Sequence, residues 1–216
     1  MTRSAANENA SPWLPAEDRE KARDQKMEAV QDMALTLFIE QGYHHVTMNE
    51  VAERLNVTKP ALYNYFRSKE DILYSCWMSG HERLQQRISA ELGAGGSGLS
   101  RLRRLVRVYA ETMTTTYGKS LVLLDERDMD DMNRRTILAR KRDLDGVFRA
   151  LIAEGVADGS IRPTDPRMTA FAIAGALNWI GHWHRADGPM TPEEIGEDFA
   201  LRLTAGLEGK APIVSE

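Results

Sequence analysis

Apolar residues recur at three- and four-residue spacings through most of this 216-residue sequence, which is the spacing of one face of an α-helix. Such series run through residues 27–38, 102–113 and 137–152. No segment alternates apolar with polar side chains as a half-buried strand does, and no Asn-Gly hairpin turn occurs. The sequence therefore predicts an all-α fold of about nine helices.

Helix boundaries are marked by capping residues and by glycine. Residues 47–50 and 68–71 each place a threonine or serine three residues before an acidic side chain, which is the pattern of a helix N-terminus. Residues 191–194, Thr-Pro-Glu-Glu, combine an N-cap with a first-turn proline. The glycine-rich residues 93–98 and the acidic residues 125–131 are predicted to connect helices.

Composition excludes several classes of protein. The chain is 42% hydrophobic and 28% charged, values that exclude collagen-like, mucin-like and wholly disordered chains. A single cysteine, Cys76, cannot form a disulfide within the chain, and neither a membrane span nor a signal peptide is evident. We expect a cytoplasmic protein that does not contact membranes. The net charge of −4 argues against coating of nucleic acid by overall charge.

Residues 47–55 and 58–66 form two short predicted helices with almost no linker, which is typical of a helix-turn-helix unit. In the second helix, Val57, Leu62 and Phe66 are predicted to face the core. The side chains left to face outward include two tyrosines beside a lysine, a set suited to phosphates and thymine methyl groups. Residues 21–70 hold seven basic and seven acidic side chains, so DNA binding requires cations gathered on one surface. A purely structural helical hairpin is the alternative.

Residues 38–73, FIEQGYHHVTMNEVAERLNVTKPALYNYFRSKEDIL, resemble the TetR family of bacterial transcriptional regulators. The resemblance includes the Gly-Tyr pair, Thr-Met-x-x-Val-Ala and Val-Thr-Lys-x-x-Leu-Tyr-x-Tyr-Phe-x-Ser-Lys-Glu. It implies an N-terminal three-helix helix-turn-helix DNA-binding domain and a C-terminal helical domain for ligand binding and dimerisation. It further implies a homodimer on a palindromic double-stranded operator, most commonly a repressor, released by a small-molecule effector. No enzymatic activity, metal or cofactor is expected.

The resemblance also assigns residues to DNA. Asn64 is predicted to read a base, since its amide pairs bidentately with adenine, and Lys59 is the alternative reader. Lys69 is expected on a phosphate. The predicted domains are an N-terminal arm (1–20), a DNA-binding domain (21–70), a ligand-binding and dimerisation domain (71–210) and a tail (211–216). The DNA-facing residues implied are Thr47, Thr58, Lys59, Pro60, Ala61, Tyr63, Asn64, Tyr65 and Lys69.

Residues 178–195 resemble more weakly the branch of the family that responds to acyl-CoA thioesters from fatty-acid or steroid breakdown. An acyl-CoA effector is therefore expected, and a different hydrophobic effector, aromatic or drug-like, is the alternative. The residues predicted to line the pocket are Trp77, Met78, Met113, Met132, Arg140, Phe148, Trp179 and Trp183. The residues predicted at a dimer interface of the last two helices are Phe171, Gly175, Asn178, Phe199 and Leu203.

Overall fold

The computed structural model describes residues 16–209, which confirm the all-α prediction. Nine α-helices occur in this range: α1 (Ala16–Gln41), α2 (Met48–Arg54), α3 (Lys59–Tyr63), α4 (Lys69–Leu92), α5 (Gly98–Met113), α6 (Thr116–Leu123), α7 (Asp131–Ala157), α8 (Pro166–Trp183) and α9 (Pro192–Ala205). Two 3-10 turns, Tyr43–His45 and Glu126–Asp128, connect helices. No helix in the described range combines the length and the apolar character needed to cross a membrane.

Helix starts follow the predicted caps. The Thr47 hydroxyl accepts a hydrogen bond from the Glu50 amide at 3.2 Å, and the Ser68 hydroxyl accepts one from the Asp71 amide at 3.1 Å. Thr191 forms a reciprocal capping box at the start of α9. Helix α1 begins five residues earlier than predicted, so residues 16–20 are helical, while the rest of the predicted arm and the tail lie outside the described residues.

Helix α5 lies at the centre of the C-terminal domain and packs against α4, α7, α8 and α9. Its residues Leu102, Leu105 and Val106 are fully buried. Helix α4 packs against both α1 and α5, and therefore joins the N-terminal helices to this core. Cys76 of α4 is buried, and burial raises the pKa of its thiol, so it is an unreactive core residue.

Helix α5 approaches the backbone of α7 closely at Gly98. A Cβ atom placed on Gly98 would lie 2.2 Å from the Gly155 backbone nitrogen and 2.8 Å from the Leu151 carbonyl oxygen. Neither neighbour is a flexible side chain that could move away, because both contacts are with backbone. The crossing therefore requires glycine at position 98.

We predict that Gly98→Ala destabilises the protein by about 1–3 kcal/mol, the usual cost of overpacking. The control is Gly146→Ala on α7, where a Cβ would meet nothing within 4 Å. This control should be stabilising by up to about 1 kcal/mol, because alanine favours helix. Urea unfolding at one protein concentration measures both. Equal stability of the two variants would show that α5 and α7 do not approach this closely.

Candidate DNA-binding surface and effector cavity

Helices α2 and α3 form a helix-turn-helix whose turn is fixed by backbone geometry. Asn56 takes a left-handed conformation with φ of 54°, one that asparagine tolerates better than most residues. The Val57 amide then donates to the Ala52 carbonyl at 3.0 Å. Helix α3 ends at Tyr63, three residues before the end predicted at Phe66, and Leu62 within it and Phe66 beyond it are each only 1% exposed. The outer side of α3 is consequently presented to solvent in one orientation.

The outer side carries most of the residues predicted to contact DNA. Tyr63 is 46% exposed, an unusual exposure for an aromatic side chain without a partner. The Thr58 hydroxyl makes no capping hydrogen bond and is free to act as a donor. Val57 is 43% exposed instead of buried as predicted, because it lies in the turn before α3 and not on its inner face. Of the remaining predicted residues, Thr47, Lys59, Pro60 and Asn64 are exposed, and Ala61 and Tyr65 are half-buried.

The lysines and arginines before α4 differ in their ion pairing from several of those in the C-terminal domain. Within residues 16–209, no lysine or arginine that precedes α4 forms a salt bridge. In the C-terminal domain, by contrast, arginines such as Arg87 and Arg107 are paired, both with Glu111. Cations near the helix-turn-helix, including Arg54 and Lys59, are therefore available to phosphates even though acidic residues match them in number.

Lys69 occupies a different environment from the other DNA-facing candidates. Its ammonium donates to the carbonyl oxygens of Tyr43 at 2.8 Å and Val46 at 2.9 Å, and lies 4.2 Å from the centre of the Tyr43 ring. Burial lowers the pKa of Lys69. These contacts fasten the Tyr43–His45 turn to α4, and the expected phosphate contact of Lys69 stays a prediction.

A cavity of about 700 Å³ lies among α4, α5, α6, α7 and α8. Its apolar wall includes Trp77, Leu121, Leu144 and Phe148. A volume in this range suits a small-molecule ligand. The sequence prediction therefore placed two residues, Trp77 and Phe148, in the wall that the structure describes.

The other six predicted pocket residues lie outside this cavity. Met113 is fully buried in the core, Met78 is half-buried, and Met132 and Trp179 are 78% and 62% exposed. Arg140 and Trp183 are also exposed. Successive helical residues differ in direction by about 100°, so the neighbour of a wall residue points elsewhere. These six residues were predicted to line the pocket because of their residue type. The direction of each side chain depends instead on how the helices pack.

Polar residues that the prediction did not assign to the pocket also line it. The Tyr109 hydroxyl donates to Asn178 Oδ1 at 2.7 Å. His81 stacks on Trp77 with ring centroids 5.3 Å apart. Burial, with a further contribution from Arg140, lowers the pKa of His81, so its imidazole is neutral at neutral pH. Asn178, which the sequence analysis predicted at the dimer interface, lines the cavity together with Ala174 and His182, each one turn away on α8.

Charged residues at one side of the cavity are paired with each other. Arg127 Nη2 lies 2.6 Å from Asp125 Oδ2, and Lys141 Nζ lies 2.7 Å from Glu126 Oε2. The side-chain hydrogen bond from Arg127 lowers the pKa of Asp125 to about 2. We refer to this side, formed by these four residues and Asp145, as the mouth. Its positive and negative groups largely neutralise one another.

The mouth is physically connected to the DNA-binding end. Residues 124–130, here named the cavity segment, line the cavity at their start and reach the N-terminal helices at their end. Asp128 Oδ1 lies 3.2 Å from His44 Nε2, and the Glu70 carboxylate accepts a hydrogen bond from the Asp130 amide. A displacement of this segment therefore changes contacts at the Tyr43–His45 turn and at the start of α4.

Comparison with known proteins assigns the family. Residues 31–76 match the model described as bacterial regulatory proteins of the tetR family, and residues 95–207 match the tetracyclin repressor-like C-terminal domain. The transcriptional repressor KstR of Mycolicibacterium smegmatis is 33% identical over 204 residues, covering 89% of this chain and 93% of that protein. The chain belongs to the TetR family of transcriptional regulators.

Solved structures of TetR-family regulators share the fold. PfmR from Thermus thermophilus superposes with a TM-score of 0.75 and 29% identity, covering 83% of this chain and 98% of that one. AibR in complex with isovaleryl coenzyme A and operator DNA superposes with a TM-score of 0.74 and 24% identity, covering 82% and 97%. These relatives are regulators and not enzymes. Residues 16–209 also contain no cluster of three or more histidine, cysteine or acidic residues able to hold a metal ion.

A stripe of apolar residues lies exposed along α8 of this TetR-family regulator. Met168, Phe171 and Trp179 are 61%, 46% and 62% exposed, and Trp183 continues the series. Phe171 and Gly175, two of the predicted interface residues, belong to this side of the helix and are exposed. Phe199 and Leu203, also predicted at the interface, are half-buried on α9, where the Phe199 ring stacks on Trp183 with centroids 6.3 Å apart. We name this surface the α8 stripe.

We predict that the double variant Lys59→Ala/Tyr63→Ala loses operator binding while its fold is retained. Both side chains are exposed on α3, and each lost contact to DNA costs about 1–3 kcal/mol. The measurement is sequencing of genomic fragments captured by the purified protein. The wild type should enrich a palindrome that the double variant does not.

The matched control is Arg142→Ala, which removes one cation from an exposed position of α7. It should enrich the same fragments as the wild type. Enrichment of those fragments by the double variant would show that α3 does not read the operator.

Proposed function

We propose that this regulator is a repressor that binds a palindromic operator as a homodimer and leaves it when an acyl-CoA thioester occupies the cavity. The connection of an apolar cavity to the helix-turn-helix through the cavity segment carries the proposal. The volume of about 700 Å³ accommodates an acyl group, with the coenzyme left outside the mouth. AibR, a protein of the same fold, binds isovaleryl coenzyme A and operator DNA, which supports an acyl-CoA thioester as the class of effector.

Release follows from the position of the cavity segment. A ligand at the mouth contacts Asp125 and Arg127, which lie three or fewer residues from Asp128. Displacement of these residues weakens the contact of Asp128 with His44 and that of Asp130 with Glu70. Those contacts orient the Tyr43–His45 turn and α4. Their loss therefore shifts α3 relative to the α3 helix of the second subunit in the dimer.

An apolar effector without a coenzyme is the second candidate, and the mouth provides a reason to consider it. Arg127 and Lys141 are already paired with Asp125 and Glu126. The phosphates of coenzyme A would have to displace these carboxylates or find cations farther out. A neutral effector has no such requirement.

The α8 stripe supports a homodimer. A large apolar patch on a helix favours association with a complementary surface, and two-fold symmetric dimers place the same patch on both subunits. Two DNA-binding domains then bind two half-sites of a palindrome together, which strengthens binding far beyond one domain alone.

We predict that Trp179→Glu converts the dimer to a monomer and weakens operator binding by at least tenfold. A charge placed in an apolar interface opposes association. The control Met132→Glu changes an apolar side chain that is 78% exposed at the start of α7, and should remain dimeric. Analytical ultracentrifugation measures the mass of both. A dimeric Trp179→Glu protein would place the interface elsewhere.

We predict that straight-chain and steroid acyl-CoA thioesters dissociate the operator complex. The variant Ala174→Phe fills the cavity from α8 and should bind operator normally but respond at least tenfold more weakly. Ala150→Phe, at an exposed position of α7, is the control for added bulk. Fluorescence anisotropy of labelled operator gives both affinities. An unchanged response of Ala174→Phe would place the effector outside this cavity, and release only by coenzyme-free compounds would favour the second candidate.

A further inference from the structure

The Asn178 amide is held in one orientation inside the cavity. Its Oδ1 accepts the hydrogen bond of the Tyr109 hydroxyl at 2.7 Å, and Tyr109 is only 5% exposed. Because Oδ1 accepts from Tyr109, the two N–H groups of Nδ2 are left to donate hydrogen bonds. Nδ2 makes no hydrogen bond to any residue between 16 and 209, although Asn178 lines the cavity. It is a donor without an acceptor.

His81 provides a second polar group on the cavity wall. Its side chain is 6% exposed, and it makes no hydrogen bond within the described range. Stacking on Trp77 holds the plane of the ring. Because burial lowers its pKa, the imidazole is neutral and offers one donor and one acceptor.

These groups disfavour both a saturated chain and an anion as the ligand body. A saturated chain would cover Asn178 Nδ2 and His81 without replacing their hydrogen bonds to water, which is unfavourable. A carboxylate would need a cation, and the two cations that line the cavity, Arg127 and Lys141, are paired at the mouth. An uncharged oxygen satisfies the amide without either cost.

We propose that the cavity recognises a carbonyl or hydroxyl oxygen on the acyl body of the effector, that Asn178 Nδ2 binds it, and that Tyr109 positions Asn178. This inference rests on the proposed acyl-thioester function and narrows it to oxygen-bearing acyl groups. The thioester itself lies toward the charged mouth, so the recognised oxygen belongs to the acyl body.

The test compares thioesters of one chain length that differ only in an added oxygen. Decanoyl-CoA is titrated beside its 3-oxo, 6-oxo and 10-hydroxy derivatives, which place the oxygen at three depths. Isothermal titration calorimetry should show at least one oxygenated thioester binding tenfold or more tightly than decanoyl-CoA. Equal affinity of all four for the wild type would overturn the inference.

Substitutions at Asn178 and Tyr109 test whether these residues produce the preference for oxygenated thioesters. Asn178→Leu keeps the branching of the side chain at Cγ but removes the amide, and should reduce the affinity ratio of the preferred oxygenated thioester to decanoyl-CoA to about one. Tyr109→Phe should lower the same ratio without abolishing binding, because the amide loses its fixed orientation. The double variant Tyr109→Phe/Asn178→Leu leaves no buried hydroxyl unpaired, which protects the fold, and should also show no preference. A preference that persists in Asn178→Leu would overturn the inference.

Failure of the proposed function gives a separate result. If the wild type binds none of the four thioesters, the acyl-CoA proposal is wrong, and octan-2-one and octane then test the oxygen site alone. Each is added at half of its aqueous saturation, so that both have the same thermodynamic activity relative to the pure liquid. Octan-2-one should raise the thermal unfolding midpoint of the wild type more than octane does, and this difference should vanish in the double variant. Equal shifts in the wild type would overturn the inference.

Discussion

Helix α4 packs against α1 near its start and lines the effector cavity toward its middle. Near its start, Leu73 and Cys76 are fully buried, and the Cys76 thiol donates to the Gln31 carbonyl of α1. Trp77, directly after Cys76, and His81, one turn farther on, form part of the cavity wall. A 24-residue helix is about 36 Å long and resists bending. The DNA-binding end and the cavity therefore share one rigid element, and a change at one end is transmitted as a movement of the whole helix.

The packing of α6 against α4 makes this arrangement close. A Cβ atom on Gly80 would lie 2.6 Å from the Tyr117 carbonyl oxygen, so α4 and α6 meet backbone to backbone. Helix α6 also contacts α1 and α8, and its C-terminal residues lead directly into the cavity segment. The N-terminal helices and the C-terminal core are therefore closely packed. The cavity segment cannot move independently of the helices beside it.

Local chemistry could be predicted from the sequence, and long-range geometry could not. The caps at Thr47, Ser68 and Thr191 depend on residues three positions away, so the helix starts followed from spacing. The pair of Tyr109 and Asn178 joins residues 69 positions apart, and no spacing rule reveals it. The family resemblance assigned α3 to DNA, yet a resemblance does not give the direction of side chains such as Trp179, which depends on how α8 is rotated in the bundle.

The cavity segment has a consequence for a cell that carries several operators. Thermodynamic linkage is reciprocal, so an effector that weakens operator binding through this segment must itself bind the operator complex more weakly by the same factor. A free copy of the regulator then responds at a lower effector concentration than a copy on DNA. Operators of different strength would be vacated in order, the weakest first. The contact between His44 and Asp128 would thereby help to determine the order in which the controlled genes are expressed.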